Sequence, residues 1–390
     1  MNYIMIKSLF ILFFISVTFV SISQNFVYSS KDSLNGKATN KIAFSGYVNT
    51  IFYYDFVGIN NGYPALNITE VPVGTDVFKE PYMSFNAFQT RLRFNSEHQT
   101  KIGTVKLYVE TDFVSGTGAL RLRHALISIN KWDFGQTWST FSDEDMWPNM
   151  TDYDGPPTGI WSRHTMLRYN VIRTEKHSLS FAAEGPSLDY STDYNIDSNI
   201  STTNQNIPDF VARYRFSNNR LHFQVSGIYR NIRYKDAVDN KLFYETGYGL
   251  SISSGIKVFK NDLFNIQGTA GKGIARHMVG FEGRNWDAVP KGNQDIELLP
   301  TYGGFIGYDH YWNKNKTFSS TAVLGGVYVR NDVLKNIDDF IEGYWGLVNL
   351  YWYPAENLSI AIEYVGAYRK NYLSKEGYAD RIQFMVQYNF

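Results

Sequence analysis

The feature that most constrains this chain is an alternation of apolar and polar side chains with a period of two, repeated along most of its length. Near the carboxyl terminus, Ile382, Phe384 and Val386 share one face, whereas Arg381 and Gln383 share the other. A period of two is the signature of a β-strand with one apolar and one polar face. The chain is therefore predicted to be an all-β protein.

The connections between the strand-like stretches are alternately short and long. The short ones are rich in Asn, Asp, Lys and Pro, which are the residues of tight turns. The long ones include residues 57–85, 141–162 and 277–301. Long connections on one side and short ones on the other are typical of a transmembrane antiparallel β-barrel of the bacterial outer membrane.

The pattern predicts about sixteen strands, an even number that leaves both chain ends on the periplasmic side. The predicted strands cover residues 41–56, 86–97, 103–113, 119–130, 132–140, 163–173, 178–185, 209–216, 221–232, 245–259, 263–275, 302–312, 317–330, 341–353, 358–369 and 378–390.

A soluble β-sandwich would show the same alternation, and the aromatic residues distinguish the two folds. Aromatic residues make up 17% of the chain. Trp312 and Trp352 come just before short turns, and Tyr248 and Tyr328 lie towards the opposite strand ends. Two belts of aromatic residues are typical of a barrel that crosses a membrane. The chain also ends on Phe390, as outer-membrane assembly signals do, so we expect the outer membrane as its location.

The amino terminus has the pattern of a secretory signal peptide. Lys7 gives a modest positive charge, residues 8–20 are almost wholly apolar, and Ser21 and Ser23 are small residues before a cleavage site. An anchoring transmembrane helix is the alternative, but the apolar run is short for a span. We expect a signal peptide at residues 1–23, a short flexible periplasmic segment at 24–40 and the transmembrane barrel at 41–390.

Composition and motifs argue against several other classes of function. The chain has no cysteine and a formal net charge of zero, which removes thiolate metal sites and disfavours nucleic acid as a partner. The seven histidines have no metal-binding spacing. We expect no cofactor, no metal and no catalytic residues. Two alternatives stay open: a barrel enzyme of lipase or protease type, and an occluded structural or adhesive barrel.

A set of arginines falls on the polar faces of the second, fourth, sixth and eighth predicted strands. An arginine that faces lipid at mid-depth costs about 2–4 kcal/mol, so these side chains are predicted to line the pore. They could pair with acids such as Glu110 and Asp112, or could form a ladder for anions, because guanidinium groups bind carboxylates with two hydrogen bonds. The predicted pore-lining basic residues are Arg91, Arg93, Arg121, Arg123, Arg168, Arg213 and Arg215.

Residues 141–162, the third long loop, combine acidic residues with tryptophan and proline. In general porins the third loop folds inward and narrows the pore, and an acidic loop opposite a basic wall would set a transverse field there. A calcium site or a solvated surface loop are the alternatives, although Asp-x-Asp alone is too short for a calcium motif. The predicted constriction residues are Asp143, Glu144, Asp145, Trp147, Asp152 and Asp154.

Five short motifs resemble the DcaP-like family of outer-membrane porins. They are YVETDF at 108–113, LRLRHA at 120–125, GQTWSTF at 135–141, DGPP at 154–157 and LRY at 167–169. The resemblance is strong over residues 86–185 and weaker beyond. It implies a sixteen-stranded trimeric porin for small negatively charged molecules, including dicarboxylates. We therefore expect outer-membrane lipid, small anionic solutes and a homotrimer as partners.

Overall fold

A computed structural model gives the fold for residues 26–31, 38–57, 59, 63–74, 80–115, 117–189, 200–236, 238–259, 261–292, 295–330 and 339–390. Its strands are β1 (Phe26–Lys31), β2 (Ala38–Val57), β3 (Tyr82–Asn86), β4 (Arg91–Thr100), β5 (Gly103–Asp112), β6 (Arg121–Ile129), β7 (Trp132–Trp138), β8 (Arg163–Arg173), β9 (His177–Glu184), β10 (Ile200–Thr202), β11 (Asp209–Ser217), β12 (Leu221–Asp236), β13 (Leu242–Val258), β14 (Asp262–Lys272), β15 (Ala288–Gly292), β16 (Asp295–Leu298), β17 (Pro300–Tyr311), β18 (Phe318–Val329), β19 (Phe340–Ala355), β20 (Leu358–Asn371) and β21 (Glu376–Asn389).

The strands close into an antiparallel barrel. β2 pairs with β21 along one edge and with β3 and β4 along the other, which joins the two ends of the sheet. β3 and β4 follow each other along the same edge of β2 and make one strand of the ring. The ring therefore has sixteen strands, and the predicted fold class and strand number are confirmed: β2, β3 with β4, β5–β9, β11–β14 and β17–β21.

Side chains alternate between the two faces of the wall as the sequence predicts. In β21, Arg381 and Gln383 are buried inside the barrel, whereas Phe384 and Tyr388 are exposed on the outside. This arrangement suits a wall with lipid outside and polar groups inside. Among the residues that the structure describes, no helix is long and apolar enough to span a membrane.

Tight turns connect the strands at the periplasmic end. Asn130, between β6 and β7, has φ of 55°, and Asn357, between β19 and β20, has φ of 70°. Asparagine tolerates this left-handed conformation better than most residues do, which explains its use at these corners. Trp312 and Trp352 are exposed at this end, and Tyr344 and Tyr378 are exposed towards the other. These positions match the two aromatic belts expected at the membrane interfaces.

The structure also contains strands that the sequence analysis did not predict. β1 lies in the segment expected to be flexible, residues 24–40, and it pairs with the first residues of β2. The long connections contain the short strand β10 and the hairpin of β15 with β16. The predicted signal peptide, residues 1–23, lies outside the described residues and stays a prediction.

Long loops fill part of the barrel interior with apolar side chains. Phe141, Ile160, Met278 and Phe281 come from two different loops and are fully buried in one cluster. A second cluster joins residues of the first long loop, such as Leu66, to inward-facing side chains of β17–β20. Beside the first long loop the inward residues of these strands are apolar, whereas the buried Asp309 and Glu363 lie elsewhere on the same face. The interior thus has an apolar side along β17–β20 and, as described next, a basic side along β4–β8.

Candidate channel constriction

The predicted arginines lie on β4, β6, β8 and β11, and their side chains face the interior. Their sequence neighbours Leu92, Leu122 and Leu167 are 45%, 49% and 43% exposed on the outer face. Because side chains alternate along a strand, the arginines beside these leucines point inward. The inward-facing arginines are Arg91, Arg93, Arg121, Arg123, Arg168, Arg213 and Arg215.

Two carboxylates on β5 hold the first four of these arginines together. Glu110 accepts hydrogen bonds from Arg93 Nε at 2.6 Å and Arg123 Nε at 2.7 Å, and Arg91 Nε lies 3.5 Å from it. Asp112 accepts from Arg121 Nη2 at 2.8 Å and Arg123 Nη1 at 2.9 Å. Both carboxylates are buried. Such charge-assisted bonds are the stronger kind, so the cluster stabilises this part of the wall.

The cluster keeps an excess of positive charge. Four guanidinium groups share two carboxylates, which leaves a formal charge of +2 (4 − 2). Arg91 Nε is buried and has no hydrogen-bond partner among the described residues. In the interior, where the effective dielectric constant is lower than that of water, such an excess attracts anions more strongly than in bulk solution. The arginines thus pair with acids and still retain net positive charge.

A β-bulge explains how Arg121 and Arg123 both reach Asp112. Between β5 and β6, Glu110 pairs with His124 and Thr111 pairs with Leu122, so Arg123 is the extra residue. A bulge locally bends its strand and re-aims side chains. Arg123 consequently bridges Glu110 and Asp112, and its side chain is only 1% exposed.

The third long loop, residues 139–162, crosses the interior, and we call it the crossing loop. The Asn149 backbone N–H donates to Asp309 of β17 at 3.2 Å, and the Thr151 N–H donates to Glu363 of β20 at 2.9 Å. On the other side, Ser226 of β12 donates to the Phe141 carbonyl at 2.9 Å. These partners lie on inward-facing positions of well-separated strands, so the loop lies within the barrel.

A second long loop supports the crossing loop. The Val279 N–H donates to the Gly159 carbonyl at 3.0 Å, and Ile160 and Met278 form an isolated β-bridge. The N–H of Gly280 also donates to the Pro157 carbonyl at 3.1 Å. Backbone bonds of this kind fix the position of the crossing loop independently of its side chains.

Tyr153 is the residue of the crossing loop that meets the basic wall. Its hydroxyl donates to Asp112 Oδ2 at 2.7 Å and accepts hydrogen bonds from Arg121 and Arg123. Both guanidinium groups also lie within 6 Å of the Tyr153 ring centre, where the negative face of an aromatic ring attracts cations. Tyr153 therefore couples the position of the loop to the arginine cluster.

The first acids of the crossing loop bind a different arginine. Asp143 and Asp145 lie 3.2 and 2.9 Å from Arg215 of β11, and Glu144 lies 3.4 Å from it. His222 Nε2 is also 2.8 Å from an Asp143 carboxylate oxygen. This end of the loop is thus rich in acid, and Arg215 balances part of its charge.

The remaining loop acids are held by the loop and by the first long loop. Asp152 accepts hydrogen bonds from the N–H groups of Leu66 and Gly155, each at 2.9 Å. Tyr63 donates to Asp154 at 3.2 Å. Burial, helped by the nearby charge of Asp152, raises the pKa of Asp154 to about 8. Asp154 is therefore largely protonated at neutral pH.

These contacts differ from the expected row of loop acids opposite a basic wall. None of the five acids forms an ion pair with Arg91, Arg93, Arg121, Arg123 or Arg168 among the described residues; Arg168 instead pairs with Asp133 at 3.1 Å. The uncharged Tyr153 faces the cluster. The acids lie elsewhere because the loop satisfies them with backbone N–H groups and with Arg215.

Arg163, which the sequence analysis did not select, lies beside the cluster. It is the first residue of β8, and its guanidinium lies 4.7 Å from the ring centre of Trp138. Trp161 stacks between Trp138 and Trp147, with ring centres 4.1 and 4.0 Å apart. Neither Arg163 nor Arg213 has an acidic partner within 4 Å in the described part of the chain. Arg163 lies between Ser162 and His164, so no alternation with apolar residues marked it in the sequence, whereas Arg213 was predicted.

A cavity of about 250 Å³ separates the crossing loop from the wall. Arg91 and Arg123 line one side, and Trp147, Tyr153 and Trp161 of the loop line another. The cavity combines two guanidinium groups with aromatic faces, and Asp152, whose carboxylate accepts backbone N–H groups of Leu66 and Gly155, also lines it. It can therefore receive a small solute that carries negative charge.

One group of side chains has metal-like spacing in the described residues. Ligand atoms of Asp143, Asp145 and His222 lie within 4.8 Å of one another. Arg215 already supplies positive charge to the two carboxylates. The group is therefore explained as an ion-pair network, and the Asp152-x-Asp154 pair is not part of it.

The closed sixteen-stranded wall and the loop that crosses it define the porin class of outer-membrane β-barrels. A family model described as DcaP outer membrane protein matches residues 17–390. The chain belongs to this family and is a protein of the bacterial outer membrane, as its sequence motifs predicted. A search of curated proteins finds no match.

Solved structures share the fold at low sequence identity. The outer membrane channel DcaP of Acinetobacter baumannii is 21% identical, with 93% of this chain and 99% of that chain covered and a TM-score of 0.77. An anion-selective porin from Comamonas acidovorans is 9% identical over 90% of this chain and 100% of that one, at a TM-score of 0.58. OmpT of Vibrio cholerae, in its trimer form, is 11% identical. The match covers 90% of this chain and 100% of that chain, with a TM-score of 0.55.

Proposed function

We propose that the protein is a porin for passive diffusion of small hydrophilic solutes and that it favours anions such as dicarboxylates. The observation that carries the proposal is the unequal pairing on the basic wall. Four arginines share Glu110 and Asp112, and Arg163 beside them has no acidic partner in the described residues. Guanidinium groups match the geometry of a carboxylate with two parallel hydrogen bonds.

The position of the cavity inside the barrel supports the same proposal. The cavity between Arg91, Arg123 and the crossing loop lies on the inner side of a wall whose outer side is apolar. A dicarboxylate that enters it can exchange water for more than one guanidinium. Weak, multiple contacts of this kind let a solute enter and leave, which diffusion through a pore requires. The Comamonas acidovorans porin, which has the same fold, is described as anion-selective.

An occluded barrel is the second candidate, because the crossing loop and the loop around Met278 pack apolar side chains inside the barrel. Single-channel recording in a planar bilayer separates the two candidates. The porin proposal predicts conductance steps whose reversal potential, in a salt gradient, favours anions. Absence of steps from correctly folded protein would favour the occluded barrel.

We further propose that the protein forms a homotrimer. The proposal rests on the family and on the trimer form of OmpT, whose fold is similar. Native mass spectrometry in a mild detergent tests it. A monomer at every protein concentration would contradict the trimer and leave the proposed pore unaffected.

A further inference from the structure

The hydroxyl of Tyr153 occupies two nitrogens of the basic wall. It accepts hydrogen bonds from Arg121 Nη2 and Arg123 Nη1 and donates one to Asp112 Oδ2 at 2.7 Å. A hydroxyl donates one hydrogen bond and accepts at most two, so these three bonds use its whole capacity. The hydroxyl therefore has none left for a solute. A solute that binds these two nitrogens has to compete with it.

Each of the two nitrogens carries two N–H groups and divides them between Asp112 and Tyr153. Arg121 Nη2 lies 2.8 Å from Asp112 Oδ2, and Arg123 Nη1 lies 2.9 Å from the same oxygen. If the hydroxyl leaves, one N–H of each nitrogen becomes free and both ion pairs stay. The two oxygens of a solute carboxylate can take one N–H each, and neither has to occupy the hydroxyl position beside Asp112. Because hydrogen bonds to a charged acceptor are about twice as strong as those to a neutral one, the carboxylate is the stronger ligand.

The backbone around Tyr153 is fixed, so its side chain is the part that can move. The N–H of Tyr153 donates to the Pro64 carbonyl at 3.2 Å. Just before it, the N–H groups of Thr151 and Asp152 donate to Glu363 at 2.9 and 2.8 Å. Tyr153 also lines the cavity of about 250 Å³, which gives its ring room to rotate.

Tyr153 stands between the extracellular part of the arginine cluster and the cavity. Arg121 is the first residue of β6, at its extracellular end, and its side chain is 29% exposed. Arg123 lies two residues further towards the periplasmic end and lines the cavity, which Arg121 does not. Contact with both arginines therefore places the Tyr153 side chain across the path along the basic wall.

We propose that Tyr153 is the gate of the pore on the basic wall. A carboxylate of the solute displaces its hydroxyl from Arg121 and Arg123, and the ring rotates towards the cavity as the solute moves on to Arg91. The proposal rests on the anion-conducting pore proposed above and adds the residue that the anion has to displace. An uncharged solute offers the arginines no stronger ligand than the hydroxyl, so the gate favours carboxylates over uncharged solutes of the same size.

Inhibition of the chloride current by succinate, measured on single channels in a planar bilayer, tests the gate. In Tyr153→Phe the ring stays and the competing hydroxyl is lost. The succinate concentration that halves the current should fall about tenfold, because succinate no longer has to replace a hydrogen bond to a charged group. Asp112 keeps two hydrogen bonds from Arg121, at 2.9 and 2.8 Å, so we expect the variant to fold.

Tyr353→Phe is the matched control. Tyr353 lines the same cavity, and its hydroxyl also contacts the crossing loop, since it accepts a hydrogen bond from Asn149 Nδ2 at 2.9 Å. Among the described residues this hydroxyl makes no hydrogen bond with an arginine. Its removal frees no guanidinium N–H, so the half-inhibiting succinate concentration should stay at the wild-type value.

A second variant tests the position of the ring. Tyr153→Ala removes the side chain that crosses the path along the basic wall, so the single-channel conductance should rise above that of the wild type and of Tyr153→Phe. An unchanged conductance would show that the path of the ions runs elsewhere, and it would contradict the gate.

The result in Tyr153→Phe can also overturn the proposal. An unchanged half-inhibiting concentration would show that the hydroxyl does not compete with the solute, and a higher one would show that the hydroxyl binds it. Both results leave an anion-selective pore intact. Wild-type channels that stay closed or prefer cations would contradict the proposed function and the gate together. Heat-modifiability on gels checks that each variant is folded.

Discussion

The side chains alternate in the same way on both sides of the barrel interior, but one side is charged and the other is rich in apolar residues. On β4–β8 the inward positions carry the arginines, with Glu110 and Asp112 between them. On β17–β20 they carry large apolar groups such as Trp345 and Val365, which pack against the first long loop. Where the first long loop packs against β17–β20, the inward residues that it contacts are apolar. Where the crossing loop contacts the same strands, its backbone N–H groups bind the inward-facing carboxylates Asp309 and Glu363.

The largest effect is expected from the double variant Arg121→Ser with Arg123→Ser. It removes both ion-pair partners of Asp112 and reduces the cluster from four arginines and two acids to two of each. Anion preference should fall, and the free energy of unfolding should drop by about 3–5 kcal/mol because a buried carboxylate loses its partners. Reversal potential and heat-modifiability on gels measure the two effects.

Either effect alone would change the interpretation of the arginines. A double variant that keeps its anion preference but loses thermal resistance would make the cluster structural. Loss of preference without loss of resistance would mean that the ion pairs contribute little to stability.

A substitution on the apolar side should have the converse result. Leu347 is buried inside β19 within the cluster that contains Trp345 and Leu66. Leu347→Ala should lower the free energy of unfolding by about 2–5 kcal/mol through lost burial and a cavity. The reversal potential should stay at the wild-type value, since no charge changes. A shift in selectivity would show that the apolar side also controls the pore.

Arg163 should affect selectivity with little effect on stability. It has no acidic partner within 4 Å among the described residues, and its guanidinium lies over the Trp138 ring. Arg163→Gln should therefore lower anion preference while the free energy of unfolding changes by about 1 kcal/mol or less. Arg163→Lys keeps the charge and is the control. Equal selectivity in Arg163→Gln and the wild type would remove Arg163 from the proposed site.

The smallest expected effect is a pH dependence from Asp154. Its pKa is raised to about 8, so the folded protein keeps the proton that the unfolded chain releases at a lower pH. The contribution of Asp154 to the free energy of unfolding therefore falls as the pH rises from about 4, the pKa of an aspartate in the unfolded chain, towards 8. Above pH 8 the new negative charge should reduce anion preference slightly. Reversal potentials at pH 6 to 9 measure this effect, and Asp154→Asn should abolish it.

The sequence predicts the wall better than the interior. Alternation and turn residues such as Asn357 are local signals, and they predict the sixteen strands. The hydrogen-bond and ion-pair partners of Asp143 and Asp152 depend on the path of the crossing loop through the barrel. No local sequence pattern predicts that path. The apolar side had a sequence signal: Ile360, Ala361 and Ile362 are consecutive apolar residues in β20. A strand that is apolar on both faces has protein inside and lipid outside.

The most direct test of the central claim is the reversal potential of single wild-type channels in a planar bilayer under a salt gradient at neutral pH. The unequal pairing on the basic wall predicts a potential whose sign reports anion preference, and addition of a small dicarboxylate should reduce the current carried by chloride. A potential of the opposite sign, reporting cation preference, would contradict the assignment of the arginine cluster as the selective part of the pore.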